Sequence, residues 1–261
     1  MSDIGFETAL DRGVLTVRLA RPDKMNALRV QDITALKVTF DEADGNDEVR
    51  SILLTGAGRA FCAGRDISDA KPSEDGEALL RDHINPMVFS LYNCRKPTVA
   101  AVNGASMGIG LGLALACDVV FAGESAVFSS PFAKLGGALD TGGHFFLPLR
   151  IPIGRVFEMI YTASPVGGAE AVRLGLADRL APDSVLVSSA ASLAHQISEG
   201  PQMAFQGQKA ILRKDTELLS NILAKEARLQ GSLSNTPEYA EGLRAFREKR
   251  PPDFRTASKE A

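Results

Sequence analysis

Pro97-Thr98-Val99-Ala100-Ala101-Val102-Asn103-Gly104-Ala105-Ser106-Met107-Gly108-Ile109-Gly110-Leu111-Gly112 carries a short run, a turn and a glycine-studded apolar segment in close succession. Thr98–Val102 is too short for a helix and partly β-branched, so it reads as a buried strand. Asn103-Gly104 ends it. From about Ser106 the small and apolar residues fit a helix whose first turn is rich in glycine. The free N–H groups and positive dipole at such a start favour a developing negative charge. Taken alone, the glycines serve tight packing of helix on strand equally well.

Working outward, an earlier glycine turn has the same setting. Gly56-Ala57-Gly58-Arg59-Ala60-Phe61-Cys62-Ala63-Gly64-Arg65-Asp66 follows the short buried strand Ser51–Thr55. Before it, Gly13–Ala20 reads as a strand, broken by Arg21-Pro22-Asp23. Val30, Ile33, Leu36, Phe40 and Ala43 then recur at helical spacing. Residues 66–82 form a polar stretch expected as a loop, leading into a helix that ends before Pro97. Asp69, Glu74 and Asp75 are expected on its solvated face. Asp118–Ala122 is a further strand. Beyond about residue 165 helices dominate: Gly168–Ala177, Ser184–Glu199, Gln202–Lys214, Thr216–Asn235 and Pro237–Lys249. Thr236 is expected to cap the last, with Pro237 in its first turn. The expected class is α/β for two thirds of the chain and helical thereafter.

Composition narrows the function. The 261 residues are 45% apolar and 23% charged, with 29 basic against 32 acidic residues and a net charge of −3. That excludes a basic nucleic-acid footprint. Apolar runs are short, Phe145–Leu149 among the longest, so no membrane span is expected. Met1–Phe6 has no charged-then-apolar leader layout, and Lys259-Glu260-Ala261 is no recognised sorting signal. Cys62, Cys94 and Cys117 are far apart and odd in number, which suits a reduced cytoplasm. No cluster has metal-ligand spacing.

Gly104-x-x-x-Gly108-Ile109-Gly110 with Tyr92-x-x-x-Lys96 resembles elements of short-chain dehydrogenases, but in the wrong order: here the Tyr/Lys pair precedes the glycine turn. The two glycine turns together resemble something else, the crotonase (enoyl-CoA hydratase/isomerase) superfamily, over nearly the whole chain. Arg21-Pro22-Asp23-Lys24-Met25-Asn26-Ala27-Leu28 resembles its early coenzyme A-contacting turn. Ala60–Ile67 and Pro97–Gly110 with Cys117-Asp118 resemble its two oxyanion segments. Ala169-Glu170-Ala171-x-x-Leu174-Gly175-Leu176-Ala177 and Glu241-Gly242-x-x-Ala245-Phe246-x-Glu248-Lys249-Arg250 resemble its later signatures.

That resemblance implies a crotonase-like (ClpP/crotonase) spiral of β-β-α units over residues 1–195. It implies a helical region, 196–261, that builds homotrimers or homohexamers. The implied substrate is an acyl-CoA thioester, with no separate cofactor. Its carbonyl oxygen is expected between the backbone N–H groups of Ala63 and Ile109, each such donor worth about 3–4 kcal/mol of barrier. Lys24, Met25, Ala27, Gly64, Arg65, Asp66, Ile67, Gly108 and Phe132 are implied substrate contacts, Lys24 and Arg65 towards the phosphates. Lys249 is expected to reach a substrate on a neighbouring subunit. Asp66 and Asp118 read as structural.

The reaction is less uniform across the family. Its hydratases hold a water between two glutamates; alignment places Gly112 and Phe132 at those positions. Asp140, in Gly136-Gly137-Ala138-Leu139-Asp140-Thr141-Gly142-Gly143, matches the aspartate of 1,2-epoxyphenylacetyl-CoA isomerase-type members. The same position is the nucleophile of 4-chlorobenzoyl-CoA dehalogenase, but the catalytic histidine there aligns with Asn85, and His83 is two residues off. Outside the resemblance Asp140 is a helix cap; within it, Asp140 is the acid/base of a double-bond isomerase. Its pKa is expected to be raised by burial beside Phe132 and Leu139. Hydration, ring-opening or thioester hydrolysis, and binding without turnover are the alternatives. His144 reads as structural or as a hydrogen-bond partner near the site, and His195 as surface or interface.

Overall fold

The structure is a computed structural model describing residues 4–68, 74–213 and 215–258. A six-stranded sheet is built from β1 (Phe6–Asp11), β2 (Val14–Leu19), β3 (Ser51–Gly56), β5 (Thr98–Val102), β7 (Val119–Gly123) and β10 (Arg179–Ala181), in that order. Only β1 runs antiparallel to its neighbour. A second sheet has the order β4 (Ala60–Cys62), β6 (Ala105–Met107), β8 (Val127–Ser129) and β9 (Val166–Gly167). Three times in succession the chain leaves the large sheet, adds a short strand to the small one and goes on into a helix. This is the expected spiral. Every residue of β3 and β5 is buried, which is why both read as unalternating runs.

The helices are α1 (Val30–Gly45), α2 (Gly76–Leu79), α3 (Asn85–Asn93), α4 (Ile109–Ala116), α5 (Gly143–Arg150), α6 (Ile153–Thr162), α7 (Gly168–Leu174), α8 (Leu186–Ser198), α9 (Gln202–Leu212), α10 (Thr216–Leu233), α11 (Pro237–Glu248) and α12 (Phe254–Ala257). Ile33, Leu36, Phe40 and Ala43 form the buried stripe of α1. Thr236 caps α11 by accepting from the Tyr239 N–H.

Two expectations need correction. The helix expected from about Ser106 begins at Ile109, because Ala105–Met107 is a strand held between β4 and β8. Asp75 is not just a solvated loop residue: it caps α2 through the Ala78 N–H. Asp69 lies outside the described residues. The turns nest closely: a Cβ on Gly104 would lie 2.1 Å from the Arg59 carbonyl oxygen, so only glycine fits there. Asn103 pins the same corner, accepting from the Gly56 N–H and donating to the Gly58 and Ala60 carbonyls.

Asp118 is structural, as expected. It accepts from the Thr98 N–H and hydroxyl and pairs with Lys209 and Arg213 of the α9 region. Burial works to raise its carboxyl, but these two cations prevail and hold it below the usual range. The dehydrogenase reading fails on geometry. Tyr92 is buried against Phe145, Phe146 and the Arg213 guanidinium, and Lys96 is 4% exposed. No described helix is long and apolar enough to cross a membrane.

Candidate active site

The early turn and the first glycine segment are zipped together. Leu28 donates to the Gly64 carbonyl and accepts from the Asp66 N–H, each at 2.9 Å, a parallel bridge between Leu28 and Arg65. Arg21 reinforces it, donating to the Ala27 carbonyl and to Asp66 at 2.9 Å. Asp66 also closes a turn with Ser68.

This zipper corrects one expectation. The Ala63 N–H donates to the Met25 carbonyl at 3.0 Å, so it is not free to bind a substrate oxygen. In a parallel bridge the neighbours of the bridged residue make the bonds, which turns the Arg65 N–H to the opposite side. Among the described residues that N–H has no acceptor, and neither has that of Ile109, the first residue of α4. The two segments meet: a Cβ on Gly64 would lie 3.9 Å from the Ile109 nitrogen. Gly108, at φ 51°, makes the sharp entry that frees the α4 N-terminus. The free N–H of the first segment is therefore that of Arg65, two residues beyond Ala63.

Asp140 reaches this corner through α4. Gly112 lies one turn into the helix, and a Cβ there would be 2.4 Å from Thr141 Cγ2 and 2.5 Å from the Thr141 carbonyl oxygen. Thr141 thus fills the space where the first family glutamate would stand. Phe132 lies against Gly108, its Cζ 3.6 Å from where a Cβ would be. Asp140 does not cap α5 with its side chain; the N-cap is Gly142. Its Oδ1 instead accepts from the Thr141 hydroxyl at 2.7 Å. Thr141 holds a left-handed φ of 57°, costly for a β-branched residue and of the kind found at functional sites. Asp140 is 8% exposed. Burial pushes its carboxyl up to about 7, against the lowering bond from Thr141, with the Glu226 charge adding to the rise.

Three residues at this site were not singled out from sequence. Glu226 and Gln230 lie on the buried face of α10, and Tyr239 comes from α11. His144 bonds Glu226 through Nδ1 at 2.9 Å. The signal for Glu226 and Gln230 is a polar residue inside the apolar stripe Leu219, Leu223, Ala227 of α10. Arg65 pairs with Glu74 at 2.6 Å, and its charge acts to lower both Asp140 and Tyr239. Lys24 and Lys249 are exposed, whereas Met25, Ala27 and Ile67 are half-buried. His83 bonds Thr34 on α1, and Asn85 donates to the Leu223 carbonyl, so neither supplies a dehalogenase histidine. His195 is partly buried near Asp11. The Cys62 thiol, buried beneath the first segment, is pushed up to about 12 and is no nucleophile. Among the described residues no group of three His, Cys, Asp or Glu could hold a metal ion.

A sequence profile of the enoyl-CoA hydratase/isomerase family matches residues 9–257. A Rhodobacter capsulatus protein named "Probable enoyl-CoA hydratase" is 39% identical over 247 residues, 94% of this chain and 95% of that one. The 1,2-epoxyphenylacetyl-CoA isomerase of Escherichia coli is 32% identical over 251 residues, 94% and 96% of the two chains. A crystal structure of an enoyl-CoA hydratase from Mycobacterium avium subsp. paratuberculosis superposes with a TM-score of 0.88 at 30% identity, covering 97% of this chain and 99% of that one.

Proposed function

The chain belongs to the enoyl-CoA hydratase/isomerase family, the crotonase superfamily, and on that premise we propose that it moves a double bond along the acyl chain of a coenzyme A thioester. The thioester oxygen accepts from the N–H groups of Arg65 and Ile109. Asp140, as carboxylate, takes a proton from C2 of a 3-enoyl group, and the electron pair moves onto the carbonyl oxygen as a dienolate. The same residue, now the carboxylic acid, returns that proton to C4. The double bond comes to rest between C2 and C3, and no group beyond enzyme and thioester is consumed. The fixed amide dipoles supply charge stabilisation without reorganising. An acid/base held near neutrality suits both halves of the shuttle.

The observation that carries this reading is the buried Asp140 carboxyl, packed through Thr141 against the helix whose first N–H is free among the described residues. Hydration needs a held water, and the two places where the family keeps glutamates contain Gly112, closed off by Thr141, and the ring of Phe132. Lys24 is left for the coenzyme A phosphates; Arg65, paired with Glu74, contributes its backbone instead. Residues 196–261 form the oligomerisation region of a homotrimer or homohexamer, in which Lys249 reaches a neighbour's substrate. Exposed Met203, Ile211 and Leu212 support that assembly.

Incubating the protein with 2-enoyl-CoA and 3-enoyl-CoA side by side tests the reaction. Conversion of the 3-enoyl to the 2-enoyl thioester is expected, abolished in Asp140→Asn. Water addition to the 2-enoyl thioester, release of free coenzyme A, or binding without turnover would each contradict it.

A further inference from the structure

The loop that carries Asp140 is held from outside by a second carboxylate. Glu226 of α10 is 2% exposed, and its acceptors are filled by the start of α5. Its Oε2 takes the Gly142 N–H at 2.8 Å. Its Oε1 takes the His144 N–H at 3.0 Å and lies 2.9 Å from the His144 Nδ1. Gly142 has no side chain with which to cap α5, so a residue more than eighty positions away does so. One turn further along α10, the Gln230 Oε1 takes the Ala138 N–H at 2.9 Å. Residues 138–144 are thus fastened on either side of Asp140, and the left-handed Thr141 is kept in place between the fastenings.

We propose that Glu226 is a positioning residue for Asp140: it clamps the first turn of α5, orients the His144 imidazole and stands as a fixed negative charge beside the catalytic carboxyl. The proposal rests on Asp140 being the acid/base of the reaction above. Among the described residues, the ionisable groups that interact electrostatically with Asp140 are Arg65 from the first segment, His144 from α5, Glu226 from α10 and Tyr239 from α11. Arg65 is itself paired with Glu74, whereas Glu226 and His144 are bonded to each other at the start of α5. The Glu226 charge disfavours ionisation of Asp140 and a His144 cation favours it, so removing one or the other shifts Asp140 in opposite directions.

The test reads Asp140 directly. Free enzyme carrying 13C at its aspartate carboxyls is titrated by NMR, the Asp140 signal being identified by its loss in Asp140→Asn. Glu226→Gln keeps the shape and loses the charge; the Asp140 midpoint is expected to fall by about one pH unit. Glu226→Asp, which keeps the charge, is expected to leave the midpoint near that of the parent. His144→Gln is expected to raise it. With 3-enoyl-CoA, Glu226→Gln is expected to lower kcat at least about tenfold with little change in KM. A residue that only supports folding would change the melting temperature and leave the midpoint alone, and that result overturns the proposal. If Glu226→Gln does not fold, His144→Gln decides, an unmoved midpoint again overturning it. Shifted midpoints with full turnover by Asp140→Asn would instead overturn the function proposed above and leave the clamp standing.

Discussion

Replacing Asp140 by Asn has a consequence for stability that depends on pH in a defined direction. The carboxyl goes from an ordinary 3.8 to about 7 in the fold. Because the folded value is raised, the native state binds this proton more tightly than the unfolded chain does. The resulting stabilisation is full below 3.8 and is lost as pH rises through 7. About three pH units at 1.36 kcal/mol each set a ceiling of ~4 kcal/mol, of which about 3 kcal/mol is lost between pH 5 and pH 9. The asparagine variant has no such proton, so its stability should fall by about 3 kcal/mol less than that of the parent over the same interval. Urea unfolding at fixed protein concentration measures this, the fixed concentration removing any contribution from assembly. Parallel stability curves for the two proteins would refute the buried, proton-holding Asp140. Activity provides the companion readout, with a loss of about 10²–10⁴-fold expected for a group that transfers the proton.

Thr141→Val removes the hydroxyl that donates to Asp140 and keeps the shape, so the pH midpoint of kcat/KM governed by Asp140 should move upward. Gly112→Glu restores the first family glutamate in name only. Its Cβ would meet Thr141 at 2.4 Å, so a stability loss of about 1–3 kcal/mol with no gain in water addition is expected, checked by urea unfolding and a hydration assay. Asn103→Ala frees the Gly56 N–H and takes the Asn103 donor from the Gly58 carbonyl, Ala60 keeping its bond from Asn26, and should cost about 1–3 kcal/mol in the same unfolding experiment.

How much of this was legible in the chain depended on whether the signal was local. The all-buried run Thr98–Val102, the apolar stripe of α1 and the Thr236-Pro237 start of α11 each announce themselves within a few residues. β6 and β10 do not: three-residue strands have no measurable period, and their hydrogen bonds come from distant partners. That the Ala63 N–H is already taken is hidden from the sequence for a similar reason. Which N–H of consecutive residues faces the pocket is set by the pairing of residues 25–28 with 63–66, a tertiary fact. Asp140 stands out in the sequence because its neighbours match a known pattern. Glu226 was passed over because a polar residue on an amphipathic helix is usually solvated, and only the α5 N-terminus packed against it shows otherwise.

The most direct measurement is a crystal structure with a non-reacting acyl-CoA analogue bound. The thioester oxygen should lie about 3 Å from the nitrogens of both Arg65 and Ile109, with C2 of the acyl chain next to the Asp140 carboxyl. An oxygen bonded to neither nitrogen, or an acyl chain running away from Asp140, would contradict the account.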